Sequence, residues 1–215
     1  MYQCPDEVRA YVEERLIPSL ISSYEVKNIC DVGCGTTVFK VPKRKIRYVG
    51  IDFLTKCIEQ NKASILGKRY TFIQADVLQD LNELPENMDA CLCVNLFTNW
   101  TNSSIYRFLQ IARKKMGCRY VFAIHRTGQE EDYKNTKENG FFRPLSYDKY
   151  PLKHGCARLV NFITTKDPRS NKEIQYECVC LNLEEMYKDV EKVEQNPESF
   201  PRVLLAILAK NKEDT

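Results

Sequence analysis

Residues 28–36 read Asn28-Ile-Cys-Asp-Val-Gly-Cys-Gly-Thr36, and residues 47–52 read Arg47-Tyr-Val-Gly-Ile-Asp52. In the first, an apolar run ends in Asp31 and is followed by two glycines, Gly33 and Gly35, one residue apart. The second apolar run ends in another acid, Asp52. This is a strand, a glycine turn and a second strand, the arrangement with which an α/β fold grips an adenosine-containing cofactor. The glycines let backbone approach a ligand, and the acid at the second strand tip accepts hydrogen bonds from ribose hydroxyls.

Working outward, the pattern repeats. Residues 6–24 read as an amphipathic helix through Val8, Val12, Leu16 and Leu20, which Pro18 bends or ends. Strands are expected over 26–31, 47–52, 70–76, 88–95 and 119–125. Helices are expected over 54–66 and 103–116, an irregular piece reaches to about Lys43, and 77–84 is a loop or short helix. Alternation of this kind predicts a parallel sheet with helices on both faces, an α/β Rossmann-like fold. Beyond Arg126 the pattern changes. Residues 127–140 are polar, a loop or short helix, and 141–155 are rich in aromatics and proline. Residues 157–165 and 174–183 form two strands joined by the polar turn 166–172, an antiparallel hairpin. A helix is expected over 183–193, and the apolar 203–209 reads as a final strand in preference to a helix. The expected organisation is one domain, 1–215: an N-terminal helix (1–25), a cofactor-binding core (26–126), and an acceptor-side region with C-terminal strands (127–215).

The 215 residues are 43% hydrophobic with a formal net charge of +3, which suits one sizeable core and is too mildly basic to argue for nucleic acid alone. No apolar run approaches the roughly 18 residues of a membrane span, and Met1 to Arg15 is polar and acidic rather than charged and then apolar. The expectation is no membrane association and a cytoplasmic or nuclear location. Of ten cysteines, Cys30, Cys91, Cys93, Cys178 and Cys180 sit in strand-like apolar settings and read as small buried hydrophobes. No C-x-x-C pair accompanies them and the chain has only two histidines, so no metal site is expected.

Asp31, Asp52 and Asp76 all end strands. Parallel strands bring such tips together along one edge, where strand order reverses and ligands bind. Three acids gathered there want a ligand rich in donors: an amino group, ribose hydroxyls, an adenine amine. NAD fits less well, because its fingerprint places a glycine where this chain has Val38, and its pyrophosphate is anionic. Each acid also has a plainer reading as a turn or helix cap.

Asp31-Val-Gly-Cys-Gly35 resembles the D-x-G-C-G motif of class I S-adenosylmethionine-dependent methyltransferases, and Tyr48-Val-Gly-Ile-Asp52 resembles their second strand. Phe72-Ile-Gln-Ala-Asp76-Val77 is similar to their third and Met88-Asp-Ala-Cys-Leu-Cys-Val-Asn95 to their fourth. The resemblance runs from about Val26 to His125. It implies S-adenosylmethionine as cofactor, with Gly33, Cys34 and Gly35 beside its methionine part and Asp31 behind the amino group. Asp52 would hold the ribose with Phe53 next to it, Asp76 or Val77 would meet the adenine, and Asn95 and Leu96 would line the transfer cleft. The chain departs from the pattern at Thr37, where relatives often carry a third glycine.

The acceptor is less legible. His125, at the fifth strand tip, is the candidate general base, against the reading of a buried histidine bonded to backbone. Phe97, Trp100, Phe142, Arg143 and Tyr147 are candidate acceptor contacts, since 141–152 falls where this fold builds an acceptor pocket; the same aromatics also suit a loop anchored on the core. The function expected is methyl transfer to an oxygen or nitrogen acceptor, a small molecule in preference to nucleic acid or protein. The rival is a non-catalytic binding partner that kept the fold. Basic residues at 40–47, 68–69, 113–115 and 119 precede strands, on the edge opposite the cleft. They read as complements to helix C-termini or as a docking face for nucleic acid or an acidic partner.

Overall fold

The structure, a computed structural model, describes residues 4–42, 46–65, 67–128, 138–140, 142–149, 152, 157–166 and 171–187. The two quoted runs become β1 (Asn28–Val32) and β2 (Arg47–Asp52), paired in parallel with Asp31 opposite Gly50. Each is buried on both faces, which is why they read as continuous apolar runs rather than alternating ones. β3 (Tyr70–Gln74), β4 (Ala90–Val94) and β5 (Tyr120–Arg126) continue the parallel sheet. β6 (Ala157–Lys166) and β7 (Glu173–Asn182) form the expected antiparallel hairpin, with β7 antiparallel to β5. The described strands make one seven-stranded sheet in the order β3-β2-β1-β4-β5-β7-β6. Strand order reverses between β1 and β4, so the glycine turn leaves the sheet at the reversal.

Strand alternation splits the apolar residues into two cores. Cys30, Val49, Cys91, Cys93 and Val121 face one side, where they meet Ile105, Phe108 and Leu109 of α4 (Asn102–Lys114). Ile29, Tyr48, Leu92, Phe122 and Cys178 face the other, under the N-terminal helix and Ile58 of α3 (Thr55–Ser64). The cysteines named from sequence are therefore core residues packed like alanine or valine. The N-terminal helix is α1 (Asp6–Tyr11), a π turn (Val12–Leu16) and α2 (Ile17–Ser23). Pro18 does not end it. The backbone widens just before the proline, and the Ile17 N–H reaches Val12 rather than the usual i−4 carbonyl.

No helix lies between β1 and β2 among the described residues. The segment 34–42 runs irregularly and buries Val38, Phe39 and Val41 in the second core. Residues 183–187 begin the expected helix; its remainder and the expected strand at 203–209 fall outside the described residues, as do 129–137. No described helix is long and apolar enough to cross a membrane.

Candidate cofactor-binding site

The glycine turn is tied down from three directions. The Gly33 and Cys34 N–H groups donate to the Ile51 carbonyl of β2 at 2.8 and 3.0 Å. The Gly35 N–H donates to Asp52 Oδ2 at 2.9 Å. From α3, Asn61 Nδ2 donates to the Gly35 carbonyl at 2.7 Å. Gly33 has φ +71° and Gly35 φ +53°, conformations that L side chains rarely adopt. A Cβ at Gly33 would come within 2.9 Å of Leu96 Cδ1, whereas one at Gly35 would meet nothing within 4 Å. The turn therefore presents bare backbone to open space. Asn61 was not singled out from sequence; its only signal was a polar residue on the sheet-facing side of a helix.

Gly33 lines two cavities. The larger, about 480 Å³, is lined by Gly33, Asp52, Phe53, Asp76, Val77, Leu96, Asn99, Trp100, Asn139 and Gly140, among others. The smaller, about 60 Å³, is lined by Cys4, Asp31, Gly33, Cys34, Gly35, Thr37 and Asn95, among others. All ten cofactor positions expected from sequence border one or the other. Cys4, Asn139 and Gly140 were not foreseen, because they reach the rim from distant parts of the chain, nor was Asn99, which neighbours Trp100.

The three acids differ. Asp31 is 1% exposed and accepts from the Tyr48 hydroxyl. Burial pushes its pKa up to about 7, with the Tyr48 bond opposing and the Asp52 charge adding. Asp52 serves the fold and the rim together: Oδ1 accepts from the Leu54 N–H at 2.9 Å and Oδ2 from Gly35, so the turn-capping reading and the ligand reading both apply. Asp76 accepts from the Leu78 N–H at 2.9 Å and stays partly exposed at the larger cavity. Burial drives the Cys4 thiol up to about 12 and, more strongly, raises that of Cys34, so both face the small cavity as neutral groups. Phe53, 66% exposed, lines the larger cavity. An apolar ring left in water at a cavity mouth suits a flat ligand.

The expected acceptor contacts are mostly elsewhere. His125 is fully buried, with Nε2 2.9 Å from Glu177 Oε1 across the β5–β7 pair, and it lines neither cavity. A group enclosed in that way does not reach a cleft mouth. Phe97 is core, 1% exposed and packed on Phe108 and Trp100. Phe142 is exposed away from both cavities, and Tyr147 packs on the first core. The Arg143 guanidinium donates to the Trp100 carbonyl and to Asn102 Oδ1. Of the group only Trp100 lines a cavity, stacked on Phe97 with centroids 5.8 Å apart. On the opposite edge, the Arg69, Arg113 and Arg119 guanidiniums lie over the rings of Tyr70, Tyr187 and Tyr120.

The residues present suit a cationic adenosyl ligand: bare turn backbone, carboxylates at three points, and apolar walls. Residues 29–116 match a protein family described as "Methyltransferase domain". Among curated proteins, none matches the chain by sequence. Among solved structures, magnesium protoporphyrin IX methyltransferase from Synechocystis PCC 6803, with bound SAH, is similar at TM-score 0.56 and 11% identity, covering 84% of this chain and 89% of that one. The N-terminal domain of EvdMO1, with SAH bound, is similar at TM-score 0.56 and 12% identity, covering 80% and 83%. N-methyltransferase NodS from Bradyrhizobium japonicum WM9 is similar at TM-score 0.54 and 12% identity, covering 79% and 93%. At these identities the likeness is one of fold.

Proposed function

We propose that this chain, whose residues 29–116 match a methyltransferase-domain family and whose fold is similar to that of a methyltransferase with bound SAH, transfers the methyl group of S-adenosylmethionine to an oxygen or nitrogen of a small molecule. The observation that carries this reading is the pair of cavities that share Gly33 as a wall. The turn backbone at Gly33 and Gly35 borders the small one, Asp52 and Asp76 border the large one, and Gly33 belongs to both.

The cofactor supplies a methyl group already activated by a sulfonium. Asp52 would accept from the ribose hydroxyls while holding Gly35 in place. Asp76 or Val77 would meet the adenine, and Phe53 and Leu96 line the same cavity. Asp31 would sit as an anion behind the ammonium group. Because the sulfonium already activates the methyl group, the reading is a direct in-line displacement, accelerated chiefly by holding the acceptor in line with the methyl group rather than by an enzyme base. The preference for a small molecule draws support from the similar fold that methylates magnesium protoporphyrin IX.

The test is a transfer assay with radiolabelled S-adenosylmethionine and fractionated cell extract. Label in the small-molecule fraction is the expected result. Label in protein or nucleic acid would replace the acceptor class. Binding of S-adenosylhomocysteine with no transfer in any fraction would place the chain with the non-catalytic partners.

A further inference from the structure

We propose that Arg143 is a positioning residue for the adenosine end of the cofactor cavity, locking a strap of residues 138–140 and 142–149 that forms part of the cavity wall; this rests on the cofactor reading above. The strap lies between β5 and β6 in sequence yet returns over the loop that follows β4. Asn139 and Gly140 line the same cavity as Asp52, Asp76 and Trp100. Three backbone bonds seat it: Gly140 N–H to the Asn99 carbonyl at 2.7 Å, Arg143 N–H to Thr98 at 2.8 Å, and Leu145 N–H to Arg126 at 3.2 Å. The Asn139 side chain accepts from the Thr101 N–H at 2.8 Å, just before α4.

Arg143 is 3% exposed. Its Nε and Nη2 donate to the Trp100 carbonyl at 3.3 and 3.1 Å, and Nη2 also donates to Asn102 Oδ1 at 2.5 Å. These bonds tie the strap to the residues just before and within the first turn of the 13-residue helix α4. The planar guanidinium does what a lysine point charge does not: it spans two acceptors on either side of the helix start in fixed geometry. The main chain of Trp100 is thereby fixed while its indole stacks on Phe97 and faces the cavity. The loop from 98 to 102 and the strap are thus one unit, and Arg143 is its fastener. Its effect on binding passes through Trp100, Asn139 and Gly140, at the end of the cavity away from Asp31 and Cys4.

The test uses the full chain. S-adenosylhomocysteine and 5′-methylthioadenosine, which lacks the amino-acid end, are titrated calorimetrically into the unaltered protein, Arg143→Lys and Asn139→Ala. Arg143→Lys is expected to weaken both ligands by the same factor, on the order of tenfold, the worth of one hydrogen bond to a charged group. Asn139→Ala, at an exposed position, is expected to weaken both by about threefold, and it decides the matter if Arg143→Lys lowers the melting temperature. In turnover, KM for the cofactor rises while kcat at saturating cofactor holds. Unchanged affinity in Asn139→Ala and in a folded Arg143→Lys, or a loss confined to S-adenosylhomocysteine, overturns the proposal. If the unaltered protein binds neither ligand, the cofactor reading fails and the strap proposal with it.

Discussion

Asp31 is the carboxylate on which pH acts. Its folded pKa is raised from the ordinary 3.8 to about 7 by burial. The folded protein therefore keeps a proton that the unfolded chain has already lost, and stability falls as pH rises from about 4 to about 7. Below that window both states hold the proton; above it the cost is complete. The urea midpoint of the unaltered protein should fall relative to Asp31→Asn across this range, and parallel curves would count against it. A cationic cofactor works in the opposite sense, favouring the ionised carboxylate. Affinity for S-adenosylmethionine should be higher at pH 8 than at pH 6, and Asp31→Asn should flatten the difference in calorimetry. Asp52 acts more simply. Asp52→Ala removes the acceptors expected to meet the ribose, with a loss of about 1.5–3 kcal/mol in binding, roughly 10- to 100-fold. The same change frees the Gly35 N–H, so the variant should also melt earlier. The motif made Asp31 and Asp52 legible as a pair of acids. Their different burial was not, because burial depends on Tyr48, which the sheet register delivers from the neighbouring strand.

At the scale of elements, the β5–β7 pair is where sequence and structure diverge most usefully. His125 and Glu177 are register partners, 52 residues apart in the chain, and each is at most 1% exposed. Glu177 Oε1 also accepts from the Tyr147 N–H at 2.6 Å, so one carboxylate joins β5, β7 and the strap. Glu177→Ala would strand a buried histidine and a backbone donor, at a cost of about 1–3 kcal/mol for each group left unpaired. Glu177→Gln keeps an acceptor in place and should cost markedly less. Chemical denaturation of the two variants gives the comparison, and equal midpoints would contradict the assigned role. From sequence, His125 ended a strand in a fold whose strand tips carry chemistry, hence the candidate base. The antiparallel strand laid beside it by the hairpin removed it from solvent. The hairpin itself was legible, since two apolar runs flank a polar turn; its pairing partner in the sheet was not.

For the whole molecule, the test is whether cofactor holds the fold together. A ligand bound only by the folded state at a hundred times its dissociation constant adds about 2.7 kcal/mol. In a chain of this size that raises the melting temperature by roughly 5–10 °C. S-adenosylhomocysteine should produce such a shift, and Asp52→Ala should reduce it at the same concentration. The chain determined by itself what local pattern can encode. Buried parallel strands announce themselves as apolar runs, a glycine turn needs its glycines, and acids at strand tips follow from where each run stops. That was enough for the succession of strands along the chain, the α/β class and ten residues that line one cavity or the other. Only the tertiary structure decided the outer wall. Asn139 and Gly140 come to the rim from a stretch that carries no periodicity, Arg143 is buried behind it, and Phe97 and His125 leave it because packing from elsewhere covers them. Such contacts depend on how distant segments cross, and spacing along the chain holds no record of that.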